Sequence, residues 1–246
     1  MTQQDIRYSR QISLSDVGND GQQRLRDAGA LIIGAGGLGS AAALYLAGAG
    51  IGRLLLNDFD TIDASNLPRQ VLYTHLDLTR PKAEVAAERL HAINPDIQAS
   101  AITRRLDRAA LTVQVAAVDV VLDCTDNFAS RWLINEVCAD TSTALVSGAA
   151  IRTEGQLSVF RHDQAGGPCY RCLYSEEDEN LNDCAGQGIL GPVAGMIGCM
   201  MATEALKFLL DIPSGLDGRL WVYDAKTANS RILKIPVRND CPVCNR

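Results

Sequence analysis

Two Cys-x-x-Cys pairs, Cys169-Tyr-Arg-Cys172 and Cys241-Pro-Val-Cys244, account for four of the eight cysteines in this 246-residue chain. Two such pairs supply four thiolates for a tetrahedral centre. With no position left open for water, the donor set reads as a closed, structural zinc site. A lone pair would also fit a redox dithiol, but a second one shifts the chemistry to metal. Pro168 and Pro242 put both pairs in turns, and their separation along the chain means that a shared ion would pin the C-terminal tail to the core. Cys124, Cys138 and Cys199 stand on apolar runs and read as small core residues. Cys184 differs, because it follows the acidic segment Ser175 to Asp183 and precedes an apolar helix. A thiol near a helix N-terminus gains thiolate character, so a nucleophile and an incidental loop cysteine both fit there.

A second constellation surrounds the stretch LIIGAGGLGS, residues 31–40. Gly34, Gly36 and Gly39 have the G-x-G-x-x-G spacing of a dinucleotide turn, and Asp58 lies where a dehydrogenase keeps its ribose-binding acid. Taken alone these residues read as NAD. The polar residues that follow ask for something more. Arg69, in Ser65-Asn-Leu-Pro-Arg-Gln70, carries a planar fork suited to phosphate or carboxylate, or else is an ordinary surface arginine. Lys82 falls in the first turn of a helix, where the macrodipole disfavours a cation by up to about 1 kcal/mol. It serves a bound anion there, or is a solvated lysine offset by Glu84. Asp126, in Asp123-Cys-Thr-Asp-Asn127, fits an N-cap or a magnesium ligand facing a triphosphate, and the two roles are compatible. Arg7-Tyr-Ser-Arg-Gln11 is basic within an acidic chain. It is a plain surface element, or a source of arginine for phosphates in its own subunit or a partner's.

The elements that position these residues alternate. Ala30 to Ile33, Arg53 to Leu56 and Val118 to Leu122 are apolar runs that lead into helix-like stretches, as in βαβ units with a mostly parallel sheet. Helices are expected over Leu38 to Ala49, Lys82 to Ala92, Leu106 to Ala117 and Asn127 to Ala139. Beyond Thr143 the pattern changes to strands at Ala144 to Val146, Gln156 to Phe160, Arg219 to Tyr223 and Arg231 to Ile235, with an apolar helix at Leu190 to Leu210. Ser175 to Asp183 reads as a surface loop. The expected fold is α/β, a Rossmann-like, mostly parallel sheet continued by antiparallel strands and bearing a four-cysteine zinc site.

Composition narrows the function classes. The chain is 47% hydrophobic and 21% charged, which is ordinary for a globular protein. A net charge of −6 argues against a general nucleic-acid binder. The N-terminus has no apolar signal region, so the expected compartment is the cytoplasm. Gly188 to Thr203 is short for a bilayer span and contains Pro192, so no membrane partner is expected.

These motifs occur in a particular order: the glycine turn, Asn66-Leu-Pro-Arg-Gln70, Asp123-Cys-Thr-Asp-Asn127, Gly191-Pro-Val193 and the two cysteine pairs. Together, from Arg7 to Cys244, they resemble the ThiF/MoeB/HesA family, bacterial relatives of ubiquitin-activating enzymes. Ser147 to Gln156 is similar to the molybdopterin-synthase adenylyltransferase branch, and the Cys184 region to the thiazole branch. Pro68 departs from the glutamine that commonly precedes the arginine in this family. The resemblance implies a single adenylation domain over residues 1–246, with nucleotide binding in about 1–150 and carrier and zinc binding in about 151–246. The implied reaction is ATP-dependent adenylation of the C-terminal glycine carboxylate of a ubiquitin-like sulfur carrier ending in Gly-Gly. Pyrophosphate leaves, and the product feeds thiamin, molybdenum cofactor or other sulfur synthesis.

The resemblance also assigns roles by position. Asp58 holds the ribose. Asn66, Arg69 and Lys82 contact the phosphates, with Ser65 and Asn127 beside them as nucleotide contacts. Asp126 binds magnesium, and Gly37 lets the backbone approach the nucleotide. Arg10 reaches across a homodimer, and Cys184 matches a cysteine that captures the activated carrier. The chain stops two residues after Cys244, so a separate sulfur donor protein is expected. Two rivals remain in this reading. An NAD-dependent oxidoreductase leaves Arg69, Lys82, Asp126 and the cysteine pairs idle, and His75, His91 and His162 fall outside the strand-end loops. A non-catalytic, zinc-stabilised carrier adaptor would tolerate an eroded phosphate pocket.

Overall fold

Strand β1 (Gly29–Ile33) is buried along its whole length, and its side chains divide between two cores. Ala30 and Ile32 belong to one cluster, Leu31 and Ile33 to the other, the period-two alternation of a strand covered on both faces. The computed structural model describes residues 3–175 and 188–244. Helices α1 (Gln3–Ile12) and α2 (Gly18–Asp27) precede β1. After it come α3 (Gly37–Ala49), β2 (Arg53–Asn57), α4 (Lys82–Ile93), β3 (Gln98–Ile102), α5 (Arg108–Val115), β4 (Val120–Asp123) and α6 (Phe128–Asp140). The chain then continues through β5 (Ala144–Ile151), β6 (Glu154–Phe160), α7 (Tyr170–Leu173), α8 (Gly191–Leu209), β7 (Arg219–Asp224) and β8 (Asn229–Lys234).

The strands form one sheet in the order β3-β2-β1-β4-β5-β6-β7-β8. β1 to β5 pair in parallel, and β6, β7 and β8 add on antiparallel. The strand order reverses between β1 and β4, so a crevice opens beyond their C-terminal ends, where open α/β sheets bind ligands. The α/β fold with an antiparallel continuation is therefore as expected. β5 runs on past Val146 to Ile151 because Gly148 to Ile151 pair with β6 across a tight turn at Arg152, whose φ is 54°.

Helix α8 is long and apolar enough to cross a membrane by length and composition. Here it is a core helix: Ala194, Ile197, Met201, Ala202 and Ala205 pack into the larger cluster with residues of α3 and β5. Three features were not legible beforehand. α1 and α2 are amphipathic but polar overall, with few apolar residues to mark a core face, and β3 is a half-exposed edge strand with the sequence QASAI. Helix α5 begins at Arg108 rather than Leu106, because the Asp107 carboxylate accepts the Ala110 N–H at 2.8 Å and caps it. Leu106 is thereby released to face the crevice. The cap of α6 is Asn127, which accepts the Ser130 N–H at 2.9 Å, and not Asp126, which stays exposed.

Candidate active site

The glycine turn is held in place by the next two strands. Gly34 has a φ of 91°, and a Cβ there would lie 2.8 Å from the Cys124 carbonyl oxygen at the end of β4. No L side chain fits that conformation and that approach together. Asp58, at the end of β2, accepts the Ala35 N–H at 2.8 Å and the Asp60 N–H at 2.9 Å, while the Tyr73 hydroxyl donates to the Ala35 carbonyl at 2.8 Å. Burial pushes the Asp58 carboxyl up, and the Asp60 N–H and the nearby Lys82 ammonium pull it back. We expect Gly34→Ala to cost at least about 2 kcal/mol of stability, from strain and overpacking. Gly48→Ala, on the exposed face of α3 with open space around it, should be neutral or stabilising by up to about 1 kcal/mol. Urea unfolding of both variants checks the pair.

The cations arrive from the segment between β2 and α4. A 3-10 turn at Ala64–Asn66 is capped by Asp63, which accepts from the Ser65 N–H at 2.8 Å and the Ser65 hydroxyl at 2.6 Å. The Arg69 and Gln70 N–H groups both donate to the Asn66 carbonyl at 3.0 Å, so Pro68, lacking its own N–H, costs this loop no bond. Arg69 donates to the Ser65 carbonyl at 2.9 Å and curls over the glycine turn. A Cβ on Gly37 would lie 3.2 Å from the Arg69 carbonyl oxygen and 3.0 Å from the Ala194 Cβ. The missing side chain thus seats both the arginine loop and α8 against the turn.

Lys82 opens α4 with its side chain only 8% exposed, and its Nζ lies 3.1 Å from Asp60 Oδ2. The alternative of a solvated lysine offset by Glu84 is corrected here: the carboxylate that meets this lysine is Asp60, whose carbonyl also accepts the Lys82 N–H at 2.9 Å. On the far side, Asp123 is fully buried at the end of β4 and accepts the Thr125 N–H at 3.0 Å and the Thr125 hydroxyl at 2.7 Å. Burial holds its carboxyl above the usual range against the pull of Arg131 and those donors. That bracing fixes the loop that carries Asp126 and Asn127.

One cleft of about 1200 Å³ gathers these residues. Gly37, Asp58, Ser65, Asn66, Arg69, Lys82, Asp126 and Asn127 all line it. Arg10 does not: it sits exposed on α1 and reaches no part of the cleft of its own chain. Cys184 lies outside the described residues, as does most of the expected loop from Ser175 to Asp183. Among the described residues no histidine lines the cleft. His162 is instead largely buried beyond β6, its pKa lowered to about 4 by desolvation.

Other lining residues were missed. Gln70 is 3% exposed with its side-chain oxygen Oε1 unpartnered beside the glycine turn, a buried amide available to a ligand. Arg105 stacks over the Phe59 ring at 4.2 Å at the mouth. Arg131 and Tyr174 also face inward, and their isolated positions on a helix and after a short turn gave no spacing signal. Beyond the polar end, the cleft continues over Ala149, Ala150, Gly155, Gln156 and Val222 on β5, β6 and β7. Ala149, Ala150 and Gly155 leave space there for an extended chain, and Ile151 and Glu154 at the β5–β6 turn line it as well.

The four pair cysteines converge beside the middle of α6, where Tyr170 and Arg171 meet Trp132, Asn135 and Glu136. Their sulfurs all lie within 4.8 Å of one another. Cys169 and Cys241 are 3.6 Å apart and Cys172 and Cys244 3.3 Å, and none forms a disulfide. Four sulfurs around a zinc ion at about 2.3 Å span edges of about 3.8 Å, so the donor set fits a tetrahedral ion with little adjustment. Burial, together with the neighbouring thiols, pushes Cys169 up to about 12, so four thiolates at neutral pH need a cation among them. Cys124 and Cys138 are core residues, as expected, while Cys199 is half-buried on α8.

The order of elements, the polar cleft and the cysteine cluster agree with a recognised family, matched over residues 8–243 under the description ThiF family. The chain belongs to the ThiF family. It is 47% identical, over 97% of its length and 94% of the relative's, to the sulfur carrier protein ThiS adenylyltransferase of Escherichia coli. It is 45% identical, over 99% of its length and 98% of the relative's, to the molybdopterin-synthase adenylyltransferase of the same organism. Its fold matches a crystal structure of E. coli MccB with ATP at a TM-score of 0.84 and 24% identity, covering 98% of this chain and 75% of that one.

Proposed function

We propose that the protein adenylates the C-terminal glycine carboxylate of a small ubiquitin-like sulfur carrier, using ATP. The observation that carries this reading is the continuity of one cleft, polar and cationic at the glycine turn and continuing over β5 to β7, where Ala149, Ala150 and Gly155 leave room for a slender tail. ATP occupies the first part, with Asp58 on the ribose and Asn66, Arg69 and Lys82 at the phosphates. Ser65, Gln70 and Asn127 flank them. The carrier tail ending in Gly-Gly occupies the second.

A carboxylate oxygen of the tail attacks the α-phosphorus. The new C–O–P link forms as the bond to the β-phosphate oxygen breaks, and pyrophosphate leaves with the electron pair. Two anions must be aligned and their repulsion offset, which calls for cations and positioning. No proton has to be removed, which agrees with a cleft whose described lining holds no histidine. Magnesium held through Asp126 would neutralise phosphate charge during this displacement. Zinc held by Cys169, Cys172, Cys241 and Cys244 would serve structure alone, since four thiolates leave no open position.

Arg10, exposed on α1 and absent from the lining of its own cleft, would enter the cleft of a second copy in a homodimer. The Cys184 thiolate would attack the acyl adenylate, expelling AMP and leaving a thioester. The transferred sulfur would come from a separate donor protein; Cys124, the one cysteine among the described lining residues, has its thiol pKa driven well up by burial. The likeness to both relatives leads to thiamin or molybdenum cofactor synthesis as the destination.

The reaction is tested by exchange of labelled pyrophosphate into ATP. Exchange is expected only with magnesium and a carrier ending in Gly-Gly; its absence across several such carriers overturns the proposal. Cys184→Ser should leave exchange at the wild-type rate and impair sulfur transfer. Wild-type transfer by this variant would make the cysteine incidental.

A further inference from the structure

Helix α6 joins the cleft to the cysteine cluster. Asp126 and the cap residue Asn127 line the cleft at its start. One to two turns further on, the same helix receives the first cysteine pair. The Tyr170 N–H donates to Asn135 Oδ1 at 2.9 Å, and the Arg171 guanidinium stacks over Trp132 at 4.4 Å and bonds Glu136 at 3.3 Å. Tyr170 stands directly between the two cysteines of that pair and is 2% exposed.

Between the two ends lies Arg131, 8% exposed. Its Nε and Nη2 donate to the Thr125 carbonyl at 3.2 and 2.6 Å, the peptide oxygen immediately before Asp126. Its Nη1 donates to the Tyr170 hydroxyl at 3.4 Å. Asp123 holds the same Thr125 from the other side, through its N–H and hydroxyl. The peptide that leads into Asp126 is thus clamped between a buried carboxylate and a buried guanidinium. One arm of the guanidinium is tethered in turn to the metal-binding turn.

We infer that Arg131 is a positioning residue for Asp126, and that the Tyr170 hydroxyl makes that positioning depend on occupation of the four-cysteine site. The inference rests on the reading of Asp126 as the magnesium-side ligand of bound ATP. A guanidinium buried only for packing would affect every ligand of the cleft alike. One that aims Asp126 affects the magnesium complex and spares the metal-free nucleotide.

Calorimetric binding of ATP, with magnesium and with the magnesium chelated by EDTA, separates these cases. The wild type, Arg131→Lys and Tyr170→Phe are compared, each as isolated and after removal of zinc. Arg131→Lys keeps the charge and loses the forked grip, and should weaken binding of the magnesium complex about tenfold, the worth of one charge-assisted bond. Binding of metal-free ATP should stay within twofold of wild type. Tyr170→Phe removes one oxygen and leaves the packing intact; it should weaken the magnesium complex about threefold. Zinc removal should weaken it in the wild type and add nothing in Tyr170→Phe. Equal losses with and without magnesium in both variants, or wild-type affinity in both, overturn the inference. So does additivity of zinc removal and Tyr170→Phe. A wild type that binds no ATP overturns the adenylation reading itself.

Discussion

Lys82→Ala should lower carrier-dependent pyrophosphate exchange by about 10²- to 10³-fold, the range for removing one preorganised donor from a developing negative charge. The fold should survive, because the lysine's partner, Asp60, is 56% exposed and rehydrates when left alone. Arg69→Ala should act in the same way with still less structural effect, since its described hydrogen bond is one to the Ser65 carbonyl. Exchange kinetics beside thermal unfolding separate lost chemistry from lost fold. Near-wild-type exchange in both variants would remove the phosphate role from both cations.

Stripping the zinc proposed at the four cysteines should destabilise the whole protein. Cys169 and Cys241 are 72 residues apart in sequence, and an ion bridging them closes that loop in the folded chain. A cross-link over such a loop contributes about 4 kcal/mol by loop-closure entropy. At about 2–4 °C per kcal/mol for a domain of this size, the unfolding temperature should fall by about 8–16 °C on chelation. Cys241→Ser should do the same without a chelator. The loss should begin at the tail, because Ile235 and Val243 are buried in the core cluster that contains the cysteines and Trp132 of α6. Limited proteolysis should then cut first beyond residue 234. An unchanged melting profile after complete metal loss would show that packing alone secures the tail.

Much of the site was legible because its chemistry is carried by strand ends. Asp58 and Asp126 follow apolar runs, Arg69 and Lys82 follow turn residues, and a doubly wound sheet draws all such ends to one crevice. The cysteine cluster was legible from donor type and spacing alone. What stayed hidden depends on tertiary context. Gln70, Arg105 and Arg131 have no partner of fixed sequence spacing, and the channel over β5 to β7 is assembled from residues of three strands whose sequence carries no shared motif. Strand β3 escaped notice because an edge strand needs no apolar alternation. The pairing of Lys82 with Asp60 rather than Glu84 is a contact between distant residues, and the capping of α6 by Asn127 turned on a choice between adjacent ones, neither of which composition resolves.

The most direct measurement is the intact mass of a Gly-Gly-ended carrier after incubation with the enzyme, ATP and magnesium. A gain of one adenylyl group is expected on the full-length carrier and no gain on a carrier lacking its terminal glycine. An unmodified carrier under conditions where calorimetry shows ATP bound would contradict adenylation. Equal modification of the truncated carrier would contradict the assignment of the channel over β5 to β7 to the Gly-Gly tail.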